Sequence, residues 1–428
     1  MKLWKKDKVS IDKEVEEFIA GNDVLLDGKL VEFDCIASAA HAKMLHSIGV
    51  LSGEELGDLE KCLEEIIGLS KKGEFGISFE DEDCHTKIEN YLVEKVGVAG
   101  KKIHTGRSRN DQVIAAIRLF AKNELNEIKS GLLGLAKIMA GFAKENEFVG
   151  MPGYTHMQKA MPSSWGLWGG AFAEALLDDL KMVGLAIEII DQNPLGSAAG
   201  YGVNVPLDRE LTKDLLGFGK IQNSALYVQN SRGKFELIVV NALLQVMLDL
   251  NKIATDLLLF STEEFGFVEI SPELCSGSSI MPQKKNADVL EMVRAKSGEM
   301  AGECFKIFSI INSLPSGYNK DFQLTKEPFM NSLESCKKSV SVMKKVISGL
   351  KVDKGKSEAA ITPEMFQAVE ANKLALGGVP FREAYKKAAE SKGMDYKIGE
   401  YLKSLKIVGS PGNLNLDKIG REIQKLEN

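Results

Sequence analysis

The chain has 428 residues, with 54 basic and 60 acidic side chains giving a net charge of −6; 44% of residues are hydrophobic and 27% charged. That balance excludes bulk disorder and argues against nucleic-acid binding as the main function. At roughly 150 residues per domain the length amounts to about three domains, enough to bury a core without disulfide or metal staples.

The opening, MKLWKKDKVS, is charged and has no apolar stretch behind it, so no signal peptide is expected. Residues 1–108 carry short helical patterns, as in Phe33–Ile48 and Glu54–Leu69. From Val113, apolar residues recur at Ile117, Phe120, Leu125, Ile128, Leu132, Leu135, Met139 and Phe142, mostly three or four apart. This predicts a helix over 112–147, capped by Asn110 or Asp111 and roughly 54 Å long at about 1.5 Å per residue. The apolar phase continues through Gly131 and Gly134, which favours one helix over a hairpin.

All eleven prolines lie after residue 151, and they bracket three loops: 152–162, 194–206 and 272–282. The proline-free stretches between them predict long helices over 163–191, 231–263 and 287–313. The apolar run Leu237–Leu250 is interrupted by Asn241, Gln245 and Asp249, so it reads as too short and too polar to span a bilayer. No run alternates strongly enough to predict a strand. Residues 352–360 form a polar connection, and PGNLN (411–415) is a turn before a last short helix.

The expected fold is all-α, a long central helical bundle with smaller N- and C-terminal helical domains. The expected boundaries are 1–108, 109–358 and 359–428. The six cysteines (35, 62, 84, 275, 304 and 336) contain no CxxC pair, which fits reduced thiols in a cytoplasmic protein.

Three segments are rich in residues that do not build cores. HTGRSRND (104–111) sets arginines and small polar residues at a helix start, where free amides and guanidinium forks suit a carboxylate; an elaborate helix cap with solvated arginines accounts for it equally well. GYTHMQ (153–158) places Thr155 and His156 in a Pro- and Gly-rich loop. Alone, that histidine reads as a hydrogen-bonded surface residue. GSSIMPQKKN (277–286) combines adjacent serines, two lysines and an asparagine. Ser278 serves as a base only if local amides and cation charge lower its pKa a great deal, and Lys284 is placed to supply such charge.

Other patterns are read as structural. GSAAGYG (196–202) lacks the GK[ST] of a phosphate loop, and EDED (80–83) lacks calcium-loop spacing. The five histidines form no HExxH or HxxxH, so no metal site is expected. Because 104–111 and 153–158 flank opposite ends of one predicted helix, they either serve different purposes or meet between subunits of an antiparallel oligomer.

At GSSIMPQKKN the sequence resembles the fumarase/aspartase superfamily. With HTGRSRNDQ and GYTHMQ it resembles the argininosuccinate lyase family within it. Further matching stretches are EDCHT (82–86), PLGSAAG (194–200), LDRE (207–210), YNKDFQ (318–323) and GVPFREA (378–384). The resemblance implies a cofactor-free elimination of argininosuccinate to arginine and fumarate in a homotetramer whose sites are shared between subunits.

It also implies Ser278 as the likely base, Lys284 stabilising the carbanion, and His156 as a catalytic histidine with Glu291 as its charge partner. Which of His156 and Ser278 handles which proton stays open. Ser108, Arg109, Asn110, Thr155 and Asn286 match carboxylate-binding positions, and Tyr318, Gln323 and Lys326 match other substrate contacts. The chain departs from the family at LWKKDK (for LWGGRF), at Asp23 (for a substrate-contacting serine), at SRGKF 231–235 (for SxRDF) and at LTK after YNKDFQ (for EDK). Another lyase of the superfamily and a non-catalytic structural homologue are the alternatives; QKKN argues against the first, and the retained catalytic positions against the second.

Overall fold

The computed structural model describes residues 12–391, 393 and 396–427, so the LWKKDK departure (3–8) lies outside the described residues. The chain is 67% helix, and its longest helices are Arg109–Glu145, Trp165–Ile190, Lys234–Phe260, Asp288–Ile311 and Lys326–Ser348. Four of these lie where apolar periodicity and proline spacing predict them. Pro328 hid the fifth, but it sits in that helix's first turn, where its missing N–H costs nothing.

The Arg109–Glu145 helix is one unbroken element of 37 residues. Ile117, Phe120, Leu125, Ile128, Leu132, Leu135, Met139 and Phe142 are all buried, as the stripe requires. Gly131 and Gly134 do not break it. A Cβ at Gly131 would stand 3.0 Å from Val340 Cγ1, and one at Gly134 2.9 Å from Lys344 Nζ. The glycines therefore admit close approach of the Lys326–Ser348 helix.

Its start corrects one expectation. Ser108 is the cap, because its Oγ accepts from the Asn110 amide (3.2 Å) while Asp111 Oδ1 accepts from the Ser108 amide (3.0 Å). This reciprocal arrangement leaves Asn110 within the first turn.

A second correction concerns the Lys234–Phe260 helix, which is long and apolar enough, by length and composition alone, to cross a membrane. Half of its most apolar window is buried inside the fold. A third is the hairpin Gly150–Thr155 with Gln158–Ser164, where no strand was expected. The remaining strands are two-residue pairs, 192–193 with 220–221 and 268–269 with 351–352.

The chain divides into two compact units. The first comprises the described residues up to Glu127, with Val183–Leu243 and Met300–Glu334. Its core includes Ala37, Ala40, Ala115, Leu195, Leu216 and Phe218. It also buries polar pairs: His85 Nδ1 lies 3.2 Å from Asp34 Oδ1, and Gln112 Nε2 donates to the same carboxylate at 2.9 Å.

The second unit comprises Ile128–Met182, Leu244–Glu299 and Ser335–Asn428. Edge-to-face rings join Phe142, Trp165, Trp168 and Phe260, and Trp168 Nε1 donates to Asp256 at 3.0 Å. Phe366, Tyr401 and Leu402 centre a smaller cluster near the C terminus.

Two glycines separate packing from propensity. A Cβ at Gly166 would stand 2.4 Å from Glu147 Cα and 2.8 Å from the Ala143 carbonyl oxygen, whereas one at exposed, helical Gly68 meets nothing within 4 Å. Gly166→Ala is expected to lower stability by about 1–3 kcal/mol. Gly68→Ala is expected to raise it by about 0.5–1 kcal/mol, both read by urea unfolding.

The His85–Asp34 pair predicts a pH dependence. Burial opposes the imidazolium, but Asp34, Asp83 and Asp27 outweigh it, so the His85 pKa is raised. Burial also opposes the Asp34 carboxylate, yet His85, Arg107 and Gln112 hold its pKa below the usual value. The histidine's contribution is complete below its unfolded pKa of about 6.5 and fades as pH rises through the higher folded value. The aspartate's is complete above its unfolded pKa of about 3.9 and is lost as pH falls through the lower folded value. The stability of the wild type over His85→Gln should therefore shrink as pH is raised from 6 toward 9. A constant difference would remove His85 as the source.

Candidate active site

Three helix starts and one loop build a polar cavity in the first unit. Asp83 caps the Cys84–Val96 helix, accepting from the Thr86 amide and hydroxyl, both at 2.7 Å. Arg109 donates to Asp83 Oδ2 (2.9 Å) and to Thr86 Oγ1 (2.5 Å). The EDCHT and GRSRND segments are thus bolted together at two helix N-termini. The Arg109 and His85 charges hold the Asp83 carboxyl below the usual range despite its burial. Asp111 accepts from the Gly196 and Ala198 amides at 3.1 and 2.8 Å, although burial pushes its pKa up to about 6.

The cavity, about 240 Å³, is lined by Arg109, Asn110, Tyr318, Gln323 and Lys326. Five of the eight expected substrate contacts therefore share one wall. Lys326, 3% exposed, donates to Asp27 Oδ1 at 2.5 Å and lies 3.0 Å from Asp23 Oδ2. Burial opposes its charge, but the two carboxylates raise its pKa on balance. Gln323 Nε2 donates to the carbonyls of Ile19 and Ala20 at 2.9 and 3.0 Å.

The cavity also exposes residues that motif reading missed: Asp23, Asp27, Glu82, Asp83, Arg232 and Lys320. EDCHT, YNKDFQ and the departures at Asp23 and SRGKF were their signals in the sequence. The wall thus carries cations and carboxylates in alternation, which suits a ligand with both kinds of charge.

Thr155 and His156 do not line this cavity. They sit on the 150–164 hairpin, whose two-residue turn is His156–Met157, with φ of 51° and 60°. Such turns favour Asn-Gly because both central residues are left-handed, so His and Met there are strained. The surroundings hold the hairpin in place. Tyr154 packs on Phe260 and Phe265, the Gly150 amide donates to Glu358 Oε1 (3.3 Å), and Lys159 Nζ donates to the Ala360 carbonyl (2.7 Å). Strain maintained in this way presents the exposed imidazole at the hairpin tip.

Ser278, Lys284, Asn286 and Glu291 lie elsewhere in the second unit. An antiparallel bridge between Ser276 and Asn286, with both N–H···O bonds at 2.9 Å, pins the neck of a loop. Within it the Ile280 and Met281 amides donate to Ser278 Oγ at 3.3 and 3.1 Å. Two donors converging on a hydroxyl oxygen favour its alkoxide, the kind of amide support a serine base requires. Ile280 at the loop tip is 82% exposed. Lys284 is exposed on the loop, and Glu291 is exposed in the first turn of the Asp288–Ile311 helix.

Among the described residues, Asp27, Cys84 and His85 bring three potential metal donors within 4.8 Å of one another. The donors are already engaged. Asp27 accepts from Lys326 and from the Cys84 amide, His85 faces Asp34, and burial pushes the Cys84 thiol well above its usual range. A neutral thiol beside an ammonium suits a cation poorly, and we read the group as structural.

Two departures from the family pattern meet in space. In SRGKF the family's arginine aligns with Gly233, and in LTK its aspartate aligns with Thr325. A Cβ at Gly233 would stand 3.6 Å from Thr325 Cγ2 and only 2.2 Å from Ile311 Cγ2. The two departures are thus neighbours, with Ile311 packed against the bare backbone of Gly233.

A family model described as lyase matches residues 8–302. Argininosuccinate lyase of Thermotoga neapolitana is 44% identical over 394 residues, covering 92% of this chain and 99% of that protein. Among solved structures, an EDDS lyase in complex with formate superposes with a TM-score of 0.82 at 20% identity, covering 98% of this chain and 92% of that one. A class II fumarase from Schistosoma mansoni gives 0.76 at 16% identity, covering 98% and 97%. At these identities the two structures show the shared fold alone. The sequence match is closer and nearly complete, and by it this chain belongs to the lyase family and, within that family, to the argininosuccinate lyases.

Proposed function

We propose that the chain catalyses the reversible elimination of argininosuccinate to arginine and fumarate. The observation that carries this reading is the charge-alternating cavity joining Arg109, Asn110, Tyr318, Gln323 and Lys326, in a chain 44% identical to an argininosuccinate lyase. A proton beside a carboxylate is weakly acidic, so the transition state approaches a dianion, and aimed cations and amide donors stabilise it most.

Ser278, with two amides on its oxygen, takes the role of base, and Lys284 and Asn286 face the developing charge. His156 with Glu291 handles the other proton, that of the departing guanidine; the reverse assignment of Ser278 and His156 is equally compatible. Ser108, Arg109, Asn110 and Thr155 hold carboxylates. The protein works in the cytoplasm, and 1–108, 109–358 and 359–428 serve as its functional parts.

We also propose a homotetramer with sites shared between subunits. The unbroken Arg109–Glu145 helix supports it, since it is roughly 55 Å long at about 1.5 Å per residue and separates Ser108–Asn110 from Thr155–His156 along the chain. Large apolar side chains exposed on long helices support it further: Leu185, Leu248, Met292, Phe305 and Phe308, the kind of surface a partner helix covers.

The test follows fumarate release by ultraviolet absorbance with argininosuccinate, adenylosuccinate and malate supplied in parallel. Turnover of argininosuccinate alone is expected. Ser278→Ala should lower turnover about 10²–10⁴-fold while substrate binding persists. Turnover retained in that variant would remove Ser278 as the base.

A further inference from the structure

In SRGKF, Arg232 stands one residue before the position of the family's arginine. In the structure it is 6% exposed and lines the polar cavity. Its guanidinium carbon lies 5.5 Å from the Tyr318 ring centre and 5.6 Å from that of Phe322. It also lines a neighbouring cavity of about 270 Å³ with Asn230, Lys234 and Ser316.

Two other cations of the polar cavity are engaged, Arg109 with Asp83 and Lys326 with Asp23 and Asp27. Arg232 Nε has no hydrogen-bond partner, and the nearby buried Glu236 leaves its own Oε2 without one. Burying a guanidinium without a hydrogen-bonded carboxylate is costly. The two rings hold its plane by cation–π attraction but supply no acceptor.

We propose that Arg232 is a substrate-binding residue that takes the α-carboxylate of the substrate's amino-acid portion. This rests on the elimination proposed above. Arg109 and Asn110 sit at a helix N-terminus and suit one carboxylate, while Arg232, stacked on Tyr318, lines the same cavity and can take a second.

The test compares L-arginine with agmatine, which lacks only the carboxylate, by calorimetry on the full chain, alongside argininosuccinate kinetics. Loss of one charge-assisted contact should weaken arginine binding in Arg232→Met about 10- to 100-fold and leave agmatine binding within about threefold. KM for argininosuccinate should rise by a similar factor with a smaller change in kcat, and Arg232→Lys should recover part of the loss. Arginine and agmatine weakening together would assign Arg232 a structural role, and neither weakening would place the carboxylate elsewhere; both overturn the proposal. Failure of the wild type to turn over argininosuccinate would count against the elimination itself, while the arginine–agmatine comparison still decides the role of Arg232.

Discussion

A helix of 37 residues spans about 55 Å, and in this chain nothing interrupts it between Arg109 and Glu145. The continuity has a packing cause. Gly131 and Gly134 look like candidates for a break, but they sit where Val340 and Lys344 press close, so the absence of a side chain keeps two helices together. The arginine-bearing cap at Ser108 precedes this helix and the strained histidine turn follows it along the chain.

The cap end is organised by buried electrostatics. Lys326 draws Asp23 and Asp27 together, Arg109 clamps Asp83 to Thr86, and His85 pairs with Asp34. In each of these pairs or clusters, partners of opposite sign lie at hydrogen-bond or ion-pair distance, which offsets the cost of burial. The cavity wall this leaves is fixed before any ligand arrives, as stabilisation of developing charge requires. The His156 hairpin reaches a similar end by different means: two left-handed residues at its turn are held by ring packing on Tyr154 and by hydrogen bonds from Gly150 and Lys159.

Much of this was legible in the sequence, because the signals were periodic or local. The apolar stripe from Ile117 to Phe142 gave the long helix, and the GSSIMPQKKN, HTGRSRND and GYTHMQ segments gave the loops. What escaped was non-local or masked. Lys326 and Asp27 are 299 residues apart, and no spacing rule connects them. The hairpin was hidden by its Gly- and Pro-rich strands and by a His-Met turn where Asn-Gly would signal one. Pro328 concealed a helix start, and Ser108, Asn110 and Asp111 are comparable caps by residue type, so only the hydrogen bonds of the structure separate them. Arg232 lies one residue off the family's arginine, and its burial against two rings is a property only the fold reveals.

Subunit mixing tests the proposed shared site most directly. His156→Asn and Ser278→Ala chains, each inactive alone, would be co-refolded and the mixed assemblies confirmed by mass spectrometry. The account predicts that a fraction of activity returns, because some sites in a hybrid then draw an intact histidine from one chain and an intact serine from another. Confirmed hybrids with no activity would contradict a shared site and would require His156 and Ser278 to act within one chain.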